Sequence, residues 1–163
     1  MRYFLDTEFN GFAGALISIA LVPEDGGEEF YAAIRFDDPV QPWVERHVMP
    51  FIDKVPDPLK SPPLPREQAA KALGAWLIRE YELQTMTAHR SAPQLEIVAD
   101  WPEDIAHFCM LLLPGPAQII ETPQLRFRLL QLPGFSTAAN SAVPHNALHD
   151  ARALRDHVLT HLE

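Results

Sequence analysis

A single cysteine, Cys109, excludes an internal disulfide and suits a reducing compartment. No apolar run approaches the roughly 20 residues that span a bilayer. The start, Met1 and Arg2, leads into an acid-interrupted segment rather than a signal peptide's apolar core, so a cytoplasmic protein with no membrane partner is expected. Basic residues are also scarce: 13 against 22 acidic ones give a net charge of −9, which argues against tight, non-specific duplex binding. That objection weakens where acids hold metal, because two divalent cations would return positive charge to one cleft. No Cys/His zinc spacing, phosphate-cradling glycine loop or nucleophile elbow occurs, and there is no internal repeat.

What remains is an ordinary globular composition over 163 residues, enough for one domain, 1–163, with a real core. Residues 2–9 (RYFLDTEF), 15–22 (ALISIALV) and 28–36 (EEFYAAIRF) are predicted strands, with Glu24-Asp25-Gly26-Gly27 as a hairpin signal. An amphipathic helix follows Pro42, a proline-rich surface loop covers 53–65, and a helix is expected over 66–81. Short strands at 95–99 and 117–121 flank a helix over 103–113, and this order favours parallel pairing. Short and long helices are expected at 124–131 and 146–162. The fold class is therefore α/β, an antiparallel three-strand meander plus parallel strands in a mixed sheet with helices on both faces. A monomer exposing Trp43, Trp76 and Trp101 is one alternative for the assembly.

Three acidic clusters stand out against that pattern. Asp6 and Glu8, two apart in a strand, leave the same face roughly 7 Å apart. Side by side in a buried strand they repel unless a cation neutralises them, whereas an exposed edge strand would tolerate both. Asp104 lies beside a helical stripe of Ile105, Phe108, Cys109 and Leu112, where a first-turn acid favouring the helix dipole is the plain alternative. Asp100 is a second candidate in that region, or a capping aspartate. Asp150 shares the apolar face of Ala147, Ala151, Leu154 and Val158, while Arg152 and Arg155 point to other sides. A carboxylate on a core-facing stripe calls for a metal, an arginine or a helix end. His145 precedes it in a loop. His47, His89, His107, His149 and His157 have no such context, and the hard oxygen set favours Mg²⁺ or Mn²⁺ over zinc.

Asp6-Thr7-Glu8-Phe9, Asp104 and His145-Asn146-Ala147-Leu148-His149-Asp150-Ala151 together resemble the DEDDh 3′–5′ exonucleases. Within that group MRYFLDTEF, EEFYAAIRFD and WVERHVMP make the chain similar to small polyadenylate-specific exoribonucleases of the mycobacterial RNase AS type. One departure is Asp100 four residues before Asp104, where many members carry His-Asn; Asp104 is preferred as the ligand and Asp100 is its rival.

The resemblance implies a ribonuclease H-like fold and a homodimer. It also implies two Mg²⁺ (or Mn²⁺) held by Asp6, Glu8, Asp104 and Asp150, with His145 as general base. The implied activity is trimming of single-stranded RNA, with adenine-rich strands a candidate, from the 3′ end to nucleoside 5′-monophosphates. Glu8 would also touch the terminal ribose, the Phe9-Asn10-Gly11 turn would stack the last base, and Arg126 and Arg128 are candidates for phosphate contacts. A DNA exonuclease of the same mechanism is the alternative, followed by a catalytically silent binding module.

Overall fold

The computed structural model describes residues 1–87 and 94–162, so His89 lies outside the described residues. Strands β1 (Arg2–Phe9), β2 (Leu16–Pro23) and β3 (Phe30–Ala33) form the expected antiparallel meander. Next come helix α1 (Pro42–His47), two short 3-10 turns (Met49–Phe51 and Asp57–Leu59) and helix α2 (Arg66–Thr87). Strand β4 (Leu95–Ala99), helix α3 (Pro102–Leu111), strand β5 (Leu125–Leu129) and helices α4 (Thr137–Asn140) and α5 (Ala147–His161) complete the chain. The five-stranded sheet has the order β3-β2-β1-β4-β5, with β1, β4 and β5 parallel to one another.

Alternation along β1 assigns its two faces. Tyr3 and Leu5 enter the larger core with Leu73 and Leu77 of α2 and Phe108 and Leu111 of α3. Phe4 turns the other way, onto Leu154 and Val158 of α5. The second residue set of α5, Ala147, Leu148 and Ala151, packs on Ala20 and Val22 of β2. With helices on both faces, β2 is buried along its whole length, which is why LISIALVP reads as a continuous apolar run without alternation. Among the described residues no helix is long and apolar enough to cross a membrane.

Two expectations are corrected. Residues 117–121 are not a strand, and the predicted helix at 124–131 is instead β5. Ala117 adopts a left-handed φ of 56° and breaks any strand there. Ile120 then donates its N–H to the Leu112 carbonyl at 2.9 Å and packs on the larger core, whereas Ile119 stays exposed. It settles where α2 has no side chain, since a Cβ on Gly74 would clash with Ile120 Cγ2 and meet the Glu121 carbonyl at 3.2 Å. The period-two pattern Leu125-Arg126-Phe127-Arg128-Leu129 supplies the edge strand. Trp76 is also buried, 5% exposed, with its ring 5.2 Å from Tyr3 and 5.7 Å from Phe30. Helix α2 runs six residues past its expected end at Tyr81, and Gln84 on that extension donates to the Tyr3 hydroxyl at 2.6 Å.

Candidate metal centre

The C-terminal half of β1 carries Asp6 and Glu8 on the face that α5 covers, and the chain leaves β4 at Asp100 beside them. Helix α3 begins at Pro102, whose missing N–H costs nothing in a first helical turn, and brings Asp104 to the same end of the sheet. Helix α5 begins after Asn146, whose side-chain oxygen accepts from the N–H groups of Leu148 at 3.1 Å and His149 at 3.4 Å. Asn146 also donates to the Phe51 carbonyl at 2.7 Å, so the cap fixes where the helix starts and hence where Asp150 sits.

Two groups of ligand atoms result, each with all its atoms within 4.8 Å of one another: Asp6 with Asp100 and Asp104, and Glu8 with His145 and Asp150. Asp100 and Asp104 are therefore neighbours at one place rather than rivals for it. Both groups line a cleft of about 300 Å³, walled by Phe9, Trp101 and the 135–138 segment. Asp6, Asp104 and Asp150 are 8%, 2% and 3% exposed, which discards the exposed-strand explanation for Asp6, while Asp104 does lie in the first turn of α3.

The hydrogen bonds around these acids leave capacity for a cation. Asp104 Oδ1 accepts from the Thr7 hydroxyl at 2.6 Å and the Thr7 N–H at 3.1 Å, which pins α3 to β1. Asp150 Oδ2 accepts from the His145 N–H at 3.3 Å, while its Oδ1 is buried and has no hydrogen-bond partner among the described residues. A buried carboxylate oxygen left unpaired is costly, and a divalent cation would satisfy it. The donor set is hard oxygen plus one imidazole, which fits Mg²⁺ or Mn²⁺.

Electrostatics agree. Burial, then the charges of Asp104, Glu8, Asp150 and Asp100, push Asp6 well above the usual carboxylate range. Burial and then Asp150 and Asp104 push Glu8 up to about 9. Burial raises Asp104 to about 7 against the lowering hydrogen bonds of Thr7, and raises Asp150 to about 6 against one from Ser141. His145 moves the other way: burial, then the neighbouring His47, lower it and keep the imidazole neutral, able to accept a proton.

A second, mainly apolar pocket of about 440 Å³ adjoins the cleft and shares Thr7, Glu8, Phe9 and His145 with it. Gly11, Phe12, Gln41, Trp43 and Val44 complete its lining. Phe9 and Gly11 thus both border this pocket, with Gly11 at a left-handed φ of 77°. Asn10 does not join them. Its side chain is buried, donating to the Pro39 carbonyl at 2.9 Å and accepting from the Gln41 N–H at 2.8 Å, so it clasps the chain before α1 instead of facing ligand. Arg126 and Arg128 are exposed on the edge strand β5 and are not among the residues that line either cavity. Thr7, Asn146 and Trp43 carry no charge and gave no signal of their own. Only the position of Thr7 between two acids and of Asn146 before a helix hinted at their parts.

No family model matches the chain. Two Mycobacterium tuberculosis proteins, from strains CDC 1551 and H37Rv and each named a 3'-5' exoribonuclease, are 46% identical to it over 61 residues. That stretch is 36% of this chain and 34% of each relative, so the match spans about a third of their length.

The raised carboxylates set a pH dependence for the metal-free protein. Their unfolded values lie near 4, so between about pH 4 and 9 the folded state holds protons that the unfolded chain has released. Stability conferred by the protonated acids is complete below that window and is lost as pH rises through it. In EDTA the melting temperature should fall from about pH 5 to about pH 9, and Mg²⁺ should restore more of it at the upper end. Calorimetry at both pH values checks this; a melting temperature that climbs with pH in EDTA would contradict it.

Proposed function

We propose that this protein is a metal-dependent 3′–5′ exoribonuclease of the DEDDh type, releasing nucleoside 5′-monophosphates from single-stranded RNA. The observation that carries the proposal is the meeting of Asp6, Glu8, Asp104, Asp150 and His145 in one cleft that opens onto an aromatic pocket. The partial likeness to proteins named 3'-5' exoribonuclease supports the same activity. The strand order and the three-strand meander support a ribonuclease H-like fold.

Asp6 with Asp104, and Glu8 with Asp150, would hold the two Mg²⁺ ions, with Asp100 a further donor beside Asp6. Ions held there would supply a more acidic water and charge stabilisation for the attacking and leaving oxygens. His145, its basicity lowered by burial and its ring lining the cleft, is placed to accept the proton of an attacking water. Glu8 borders both cavities and is placed to orient the terminal ribose, while Phe9 and Gly11 offer the last base an apolar surface. Thr7 aims Asp104 and so acts on the site without touching substrate. The net charge of −9 leaves substrate affinity to the ions and to stacking, which suits a short grip on single strand.

Purified protein with Mg²⁺ and 5′-labelled oligoadenylate should shorten it one nucleotide at a time from the 3′ end. A matched DNA oligomer decides between RNA and DNA. Asp150→Asn should abolish trimming while leaving the metal-free melting temperature equal or higher, since it removes a repelling charge. A protein that binds Mg²⁺ yet trims neither polymer, or an Asp150→Asn variant that merely unfolds, would refute the proposal. Thr7→Val keeps the shape but loses the hydroxyl, and should weaken Mg²⁺ binding by roughly 10- to 100-fold in a titration. A homodimer belongs to this proposal, supported by the β5 edge, where Phe127 and Leu129 are 39% and 45% exposed. Sedimentation equilibrium should return twice the 18.4 kDa chain mass; a monomer at micromolar concentration counts against it.

A further inference from the structure

His145 is held in an unusual way. Its backbone takes a left-handed φ of 61°, and its N–H is used on Asp150. Among the described residues no hydrogen bond fixes the imidazole itself. What meets the ring is Trp43, edge to face, with centroids 5.0 Å apart and planes at 80°. We propose that Trp43 is the positioning residue for His145, setting the imidazole against the acid cleft so that it faces the water to be deprotonated. This rests on the assignment of His145 as base made above.

Trp43 is well suited to that part because it is fixed from behind. Its indole stacks on the His47 ring at 4.7 Å with planes at 21°, and the His47 Nδ1–H donates to the Trp43 carbonyl at 2.8 Å. One helical turn thus carries both contacts. Helix α1 is itself anchored by Val44 and Val48, 2% and 1% exposed, against Ile17 of β2. The indole contributes little to that core, being 49% exposed. Half-exposed tryptophan on a six-residue helix has no stability reason to be there, whereas an aromatic edge or face presented to a neighbouring ring restricts its orientation.

The competing role is direct stacking on substrate, since Trp43 also lines the apolar pocket. The two roles separate in a mutant cycle comprising wild type, Trp43→Ala, His145→Ala and the double variant, with Trp43→Phe as the conservative replacement. Single-turnover and steady-state trimming of oligoadenylate with Mg²⁺ are measured for each, with melting temperatures to confirm folding. Trp43→Ala should lower kcat roughly 10- to 100-fold with KM within about twofold, as misplacement of a catalytic group does. It should have no further effect in the His145→Ala background, and Trp43→Phe should recover most of the rate. A raised KM at unchanged kcat, or a full Trp43 effect without His145, overturns the inference in favour of substrate stacking.

Full kcat in His145→Ala overturns it together with the base assignment, while wild-type trimming would still uphold the nuclease proposal. An activity-independent readout is the nuclear Overhauser effect between the Trp43 indole and the His145 ring protons. Its presence in wild type, with a changed His145 ring shift in Trp43→Ala, supports the inference. Its absence overturns it whether or not the protein cuts RNA.

Discussion

Mutual repulsion among buried carboxylates is the constraint on which this structure turns. Asp6, Asp104 and Asp150 are shielded from solvent and Glu8 is half-buried; beyond burial, the charges of Asp104 and Asp150 raise the proton affinity of Asp6 and Glu8, and that of Asp100 raises Asp104 and Asp150. A core that spent such positions on leucine would be more stable. The acids gather at one end of the sheet, where β1 and β4 finish and α3 and α5 start. An arrangement of this kind is stable at neutral pH only when protonated or loaded with cation, and the unpartnered Oδ1 of Asp150 is where that need is most exposed.

Uncharged residues give the cluster its geometry. Thr7 sits between the two acids of β1 but points to the opposite face, the one α3 covers, where its hydroxyl, with its backbone N–H, holds Asp104. That pair of bonds pins α3 to β1 and sets the distance between the acid of α3 and those of β1. Asn146 does the same for α5 through its cap and its bond to Phe51. Asn10 serves the rim, holding the Pro39–Gln41 segment that leads into α1 and Trp43. Charged groups thus supply the chemistry, and short polar side chains fix their places.

Legibility followed periodicity. The meander, β4, α3 and α5 were visible because their apolar spacing is strong and their cores are local to the motif. Asp150 was readable on its helical stripe for the same reason, and it is buried among Ala147, Ala151 and Leu154. The segment 117–121 misled because two adjacent isoleucines resemble a strand, while the alternation in 125–129 is diluted by the arginines of an exposed edge. Asn10 looked like a contact residue from its place beside Phe9, and nothing in the string shows that Pro39 and Gln41 fold back to claim its amide. Arg126 and Arg128, candidates for phosphate contacts along the chain, lie on the exposed edge strand and line neither cavity.

By itself the sequence determined the kinds of groups present and which face of a helix or strand each occupies, since those follow from spacings of two and of three or four residues. It also determined that metal chemistry was open and that its single cysteine leaves no internal disulfide within these residues. Tertiary structure decided which acids meet. Asp100 and Asp104, rivals along the chain with Asp104 preferred, both come within reach of Asp6 because β4 pairs in parallel with β1 and delivers its end to the same edge. His145 gains its importance in the same way, from the left-handed turn and from an indole 102 positions away in sequence (145 − 43) that packs against it. Contacts across such separations depend on how faces stack, and no local pattern encodes them.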